Sequence, residues 1–208
     1  MKIDPRIFQL LADVLDYPQP GLIDAARECE DRSARLNAAS AASVHEFITF
    51  AEALSLERLQ EIYTSIFELN ATCHPYVGYH LFGESYKRSV FLLGLKERFD
   101  ARGFSYGTEL PDHLVVLLRF LALCDDDALA DELIRVAMLP ALEKMIGARE
   151  ARQEGDPARR DDPDVAKSGY KAYQDVLHAL RTMLRAGHGE PIVPAMPLAD
   201  SYPVMIGD

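Results

Sequence analysis

Apolar residues recur three or four positions apart almost from the start of the chain, the spacing of one buried helix face. Ile7, Leu10, Leu11, Val14 and Leu15 share a face of a first helix, which Pro18, Pro20 and Gly21 stop. Leu22, Ala26, Cys29 and Leu36 align on a second helix, and Val44, Phe47, Ile48 and Ala51 on a third. Ser55 is an N-cap for a fourth, whose stripe is Leu59, Ile62, Tyr63, Ile66 and Phe67. Residues 70–83 lose the period and gain aromatics, which predicts a short helix between turns. A long fifth helix is expected over about 84–102, with Gly103 at its C′ position. Pro111 suits the first turn of a sixth helix, with Asp112 near its positive end and Leu114, Leu117, Leu118 and Leu121 along its face. Asp126 or Asp127 caps the next one. There Pro140 should kink or split the rod, because it lacks an N–H and crowds the preceding turn. Residues 147–166 are charged and carry Gly155, Pro157 and Pro163, predicting a helix end and a mobile loop. The last helix is expected over 165–186, with Tyr173, Val176, Leu177, Leu180 and Leu184 inward and Gly187 ending it.

No strand-like alternation of useful length occurs, and no repeat at solenoid spacing. The fold class is therefore all-α: one helical bundle of about eight to ten helices over 1–186, followed by a Pro-rich extended tail over 187–208. Pro191, Pro194, Pro197 and Pro203 forbid a helix in that tail, yet Ile192, Val193, Met196, Leu198, Val204, Met205 and Ile206 keep it apolar. It either lies on its own domain or docks on a partner.

Charge narrows the partners. The 208-residue chain carries a net charge of −11, which opposes binding to nucleic acid or to an anionic membrane surface. An acidic surface suits a basic protein or peptide, although it also serves solubility alone. Cys29, Cys73 and Cys124 are odd in number and far apart, so they form no disulfide framework and fit a reducing compartment. The first residues lack the pattern of a signal peptide. The longest apolar run, 114–124, is interrupted by Arg119 and falls short of the roughly 18 residues a membrane span needs. The expected location is the cytoplasm.

Catalytic motifs are missing: there is no phosphate-binding loop, GxGxxG, GxSxG or HExxH. Cys73, His74 and His80 lack the paired short spacings of a zinc or iron–sulfur site and read as a buried thiol and two structural histidines. Asp112 and His113 are neighbours on one strand of chain, a poor geometry for an acid–base pair and a good one for helix capping. No catalytic and no metal-ligating residue is assigned. The run 76–85 interleaves Tyr76, Tyr79 and Phe82 with Gly78, Gly83, His80 and Glu84. Glycine permits close backbone approach and aromatics offer contact area at low entropy cost, so this run fits either a recognition surface or a tight helix crossing.

Three blocks carry a resemblance. Tyr63-Thr64-Ser65-Ile66-Phe67-Glu68-Leu69-Asn70 comes first. Tyr76-x-x-x-His80-x-x-Gly83-Glu84-Ser85-x-x-Arg88 follows, and then Glu109-Leu110-Pro111-Asp112-His113-Leu114. In order and spacing they resemble the nitrate reductase delta-subunit chaperones, part of the TorD/NarJ group of redox-enzyme maturation proteins. The likeness is good over about 59–122. It departs at Ser89, Val115 and Arg119, which implies a relative serving another molybdoenzyme of the class, such as a perchlorate, selenate, dimethyl sulfide or ethylbenzene oxidoreductase.

The resemblance implies a non-enzymatic, cytoplasmic helical chaperone. It would bind the apo catalytic (molybdenum) subunit of a multisubunit oxidoreductase, through its N-terminal leader peptide, and hold it ready for cofactor insertion. No cofactor would be bound stably, and contact with the client's molybdopterin guanine dinucleotide would be transient. The client groove is expected at Tyr76, Tyr79, His80, Glu84, Arg88, Asp112 and His113. Glu84 and Asp112 would meet positive charge, and the two tyrosines apolar side chains. Arg88 could instead pair with Glu84 at i,i+4. The protein is expected to be a monomer or weak homodimer, with 147–166 as the place where copies would exchange elements. Two other functions fit the sequence: a helical interaction module with an unrelated partner, and a nucleotide hydrolase using Asp112 and His113.

Overall fold

The computed structural model describes residues 3–69, 73–147 and 163–192. Ten α-helices and two π-helical segments account for most of them, and no strand occurs among the described residues. Helix α1 (Pro5–Leu15) starts as its sequence asks: Pro5 opens the first turn, and the Asp4 side chain accepts from the Arg6 N–H at 2.9 Å. Helices α2 (Leu22–Ala34) and α3 (Ala38–Glu52) pack as an antiparallel pair. Asn37 caps α3 by accepting from Ala39 and Ser40, and Ser55 caps α4 (Leu56–Thr64) by accepting from Arg58. The expected apolar faces of these helices are the buried ones, except that Leu36 lies beyond the end of α2.

The chain continues through α5 (Val77–Phe82), α6 (Tyr86–Asp100) and α7 (Leu114–Leu123). Gly103, at φ +61°, closes α6. Its N–H donates to Asp100 O at 3.1 Å and the Phe104 N–H reaches back to Phe99 O at 3.0 Å. The Phe99 and Phe104 rings meet at 5.2 Å, the apolar contact that accompanies this closure.

Asp126 caps α8 (Asp127–Glu132) by accepting from Leu129 at 3.0 Å. That helix passes through a π-helical segment, Leu133–Met138, into α9 (Leu139–Gly147). The expected disturbance at Pro140 thus takes the form of a widened turn just before it, which relieves the crowding between the proline ring and the preceding carbonyls.

Helix α10 (Pro163–His188) packs against α3, α9, α4 and α1 and brings Tyr173, Val176, Leu177, Leu180 and Leu184 into the core. It is longer than its sequence suggests at both ends. Residues 163–166 are helical and not part of a loop, since Pro163 fits a helix start. Gly187 lies inside the helix, and Gly189, at φ +88°, follows its last residue. The rest of the expected loop and residues 193–208 of the tail lie outside the described residues. Just before them, the Ile192 N–H donates to Arg135 O at 2.9 Å.

One close approach in this core is testable. A Cβ on Gly169 of α10 would overlap the Ile62 Cγ2 methyl of α4 and sit 3.3 Å from Phe50 Cζ. Gly169→Ala gains about 1 kcal/mol of helix propensity but loses about 1–3 kcal/mol to overpacking. A net loss of about 1 kcal/mol is expected in urea unfolding. Ile62→Leu, which carries no Cγ2, should recover most of it in the double variant. A stabilised Gly169→Ala variant would contradict this packing.

Candidate functional site

The second and third sequence blocks meet in space. The Val77 N–H donates to Asp112 O at 2.8 Å and the Leu114 N–H to Pro75 O at 2.7 Å, an isolated antiparallel bridge between Tyr76 and His113. This bridge uses residues 112–114, with α7 starting only at Leu114 and His113, not Asp112, as its N-cap. Pro111 therefore stands in the turn before the helix and not in its first turn. A sequence argument that weighs only local preference cannot detect that tertiary demand.

Arg88, on α6, crosses to the bridge. Its Nε donates to Asp112 Oδ2 at 3.0 Å and an Nη to Oδ1 at 3.4 Å. The Asp112 side chain is 0% exposed and that of Arg88 18%. Two departures from the sequence reading follow. Arg88 does not pair with Glu84, which lies in the bend before α6 begins and so shares no helical face with it. Asp112 cannot meet positive charge on a client, because Arg88 already satisfies it below the surface.

Aromatic rings frame the pair. The Arg88 guanidinium lies 5.4 Å from the Tyr76 ring centre and 5.9 Å from that of Tyr79, within cation–π range. Tyr76 stacks edge-on to His113 at 5.2 Å and its hydroxyl donates to Glu109 at 3.4 Å. Burial and the nearby Glu109 carboxylate raise the Tyr76 phenol above its ordinary pKa. Gly78 makes the crossing possible: a Cβ there would lie 2.7 Å from Asp112 Oδ2 and 2.9 Å from Phe91 Cδ1. The run thus forms the tight helix crossing foreseen for it.

His80 extends the site toward α9. Its Nε2–H donates to His74 O at 2.7 Å, and Lys144 Nζ donates to His80 O at 2.8 Å. Tyr79 packs on His74 at 4.5 Å. Glu84 is exposed. The structure therefore gathers Tyr76, Tyr79, His80, Arg88, Asp112 and His113 with Glu84 at the edge. Sequence reasoning assigned no role to Glu109 or Lys144. Glu109 stands in the resembling block, whereas nothing in the sequence links Lys144 to a residue 64 positions away.

The chemistry of the site is that of contact. Asp112 faces Arg88, whereas His113 Nδ1 accepts from the Val115 N–H at 3.3 Å, so the two share no proton path. Burial pushes the Cys73 thiol up to about 12, which keeps it protonated and a poor metal ligand. Among the described residues no group of three or more His, Cys, Asp or Glu could hold a metal ion, and no helix is long and apolar enough to cross a membrane.

His113 carries a pH prediction. Its cap requires an unprotonated Nδ1, and burial lowers its pKa despite the nearby Glu109, Asp16 and Asp112. The unfolded chain therefore binds a proton first as pH falls through the ordinary histidine value of about 6.5. Its contribution is intact above that value and is lost as pH drops toward the lower folded pKa. His80 and His178 are depressed in the same direction, also by burial first. Urea midpoints should fall from about pH 7.5 to pH 5. His113→Asn, which keeps a capping oxygen but does not titrate, should flatten part of that slope. An unchanged slope would remove His113 from the account.

The family model described as the nitrate reductase delta subunit matches residues 33–151, more than half of the chain and all of this site. The chain belongs to that family. A relative from Bacillus subtilis (strain 168), a probable nitrate reductase molybdenum cofactor assembly chaperone NarJ, is 29% identical over 126 residues, 58% of this chain and 67% of the relative. The crystal structure of a putative redox enzyme maturation protein from Archaeoglobus fulgidus superposes with a TM-score of 0.54 at 20% identity, covering 87% of this chain and 93% of the other. That likeness concerns the fold, which is all-α in one domain as the periodicity implies. The Bacillus subtilis relative is named as an assembly chaperone, and a chain of this family is not an enzyme.

Proposed function

We propose that the chain is a system-specific chaperone for the molybdenum-bearing catalytic subunit of an oxidoreductase of the nitrate reductase class. It binds the apo subunit by its N-terminal leader and keeps it open for molybdenum cofactor insertion, then leaves. One observation supports this most: the family match covers both blocks that the Tyr76–His113 bridge joins. In this reading Tyr79, His80 and Glu84 touch the client, Tyr76, Arg88 and His113 form the floor, and Asp112 holds that floor from beneath. Exposed Glu84 and Glu109 meet basic client residues, consistent with the net charge of −11. The chaperone holds no cofactor of its own, contacts the client's molybdopterin guanine dinucleotide only in passing, and works in the cytoplasm as a monomer or weak homodimer.

The test is co-purification of the tagged chain with the catalytic subunit in cells unable to make the cofactor. A complex that disappears when cofactor synthesis is restored is the expected result. Folded chain with no complex would overturn the proposal. Glu84→Lys should reduce client retention several-fold while leaving the urea midpoint unchanged, since exposed substitutions cost within about 0.5 kcal/mol.

A further inference from the structure

The π-helical segment before Pro140 leaves one carbonyl without a helical donor. Its bonds reach five residues back, and the Leu139 N–H donates to Ile134 O. In that register the donor for Arg135 O would be residue 140, and Pro140 has no N–H. A buried or half-buried carbonyl seeks another partner. Arg135 O finds it in the Ile192 N–H, at 2.9 Å.

The Arg135 side chain holds the same segment. Its Nε–H donates to Glu190 O at 3.1 Å, and an Nη donates to Asp131 Oδ2 at 3.4 Å, which steadies the guanidinium. Arg135 thus gives a donor to the carbonyl of residue 190 and an acceptor to the N–H of residue 192. That is one rung of a parallel β-ladder, with the guanidinium standing in for a backbone N–H. The residue between is Pro191, whose missing N–H this pairing does not use. A proline there also keeps the residue before it extended. Gly189, at φ +88°, turns the chain out of α10, and the Glu190 carboxylate pairs with Arg185 at 3.2 Å.

We infer that Arg135 is a clamp for extended peptide backbone, closed in the resting chain by its own residues 190–192. Its ligand is exchangeable with an extended segment of a partner protein in which an acidic residue precedes a proline. Glu190 and Ile192 are exposed, so water competes for both bonds and the resident segment is held weakly. Both bonds also go to backbone atoms. The clamp therefore reads an extended conformation with proline at its centre, and Arg185 adds the preference for a carboxylate before it.

The probe is a fluorescent peptide with the sequence of residues 188–195, added to the full chain. The unmodified chain should bind it weakly, because the tethered segment fills the clamp at high effective concentration. Ile192→Pro deletes the donor from the chain but not from the peptide, and should bind several-fold tighter. Ile192→Ala keeps the N–H and should match the unmodified chain. Adding Pro140→Ala to Ile192→Pro should abolish the gain, since an N–H at position 140 satisfies Arg135 O within the helix. Without peptide, the Ile192 amide and the Arg135 Nε–H should exchange slowly in the unmodified chain, and the Ile192 amide faster in Pro140→Ala. Equal binding by the unmodified and Ile192→Pro chains, a gain that survives Pro140→Ala, or unprotected Ile192 in the unmodified chain overturns the inference. So does a gain in Ile192→Ala equal to that in Ile192→Pro, which assigns the contact to the isoleucine side chain. A dimer dispersed by Ile192→Pro also does so, by assigning the grip to the end of a second copy. No client enters these measurements, so the clamp and the chaperone function stand or fall separately.

Discussion

Arg88→Ala should lower folding stability by about 3–5 kcal/mol, the cost of leaving a buried carboxylate without its partner. Asp112 is fully buried, and the side-chain bonds found for its carboxylate both come from Arg88. Arg88→Lys should rescue little. A lysine offers neither two parallel donors nor a flat cation to lie against Tyr76 and Tyr79. The pair is not expected to be the most stable solution, however. Replacing both partners by apolar residues of similar size, as in R88M/D112L, removes the buried charge together with its counter-charge. That double variant should regain most of the lost stability in urea unfolding. Client retention should not return with it, because the cation over the two tyrosines is gone. Recovery of stability and client binding together would show that the pair only braces the fold.

The same pair marks the limit of the sequence. Features set by neighbours along the chain were legible: the Ser55 and Asp126 caps, the Gly103 closure, and the buried face of α1. Each depends on a few adjacent residues and on helical period. The site blocks were legible only as resemblance, since no local rule joins residue 88 to residue 112. Local rules even misdirected there. Pro111 and Asp112 fit a helix start, but the backbone of 112–114 is bridged to 75–77, and the helix waits until Leu114. Glu84 and Arg88 fit an i,i+4 pair, but Gly83, at φ +62°, turns the chain so that α6 begins after Glu84. At the far end, Gly187 has the composition of a helix stop, yet His188 bonds Asp131 at 3.2 Å, a tertiary contact that accompanies one further residue of helix.

Phe99→Ala is the second large effect, about 3–5 kcal/mol for an aromatic side chain removed from a closed core. Phe99 is 0% exposed, and its ring meets Phe104 at 5.2 Å, Tyr106 at 5.4 Å and Phe120 at 4.6 Å. Those contacts anchor the segment that leaves α6 and leads into Asp112 and His113. The loss should therefore be felt at the bridge as well as in global stability. In native conditions the amides of Val77 and Leu114, which donate across the bridge, should exchange faster in Phe99→Ala. Phe47→Ala provides the contrast. Phe47 is equally buried, but its ring packs on Tyr173 between α3 and α10. It should cost similar global stability without selectively opening the bridge. If both variants speed exchange at Val77 and Leu114 equally, the bridge opens only with the whole fold, and the aromatic cluster is core rather than a support for the site.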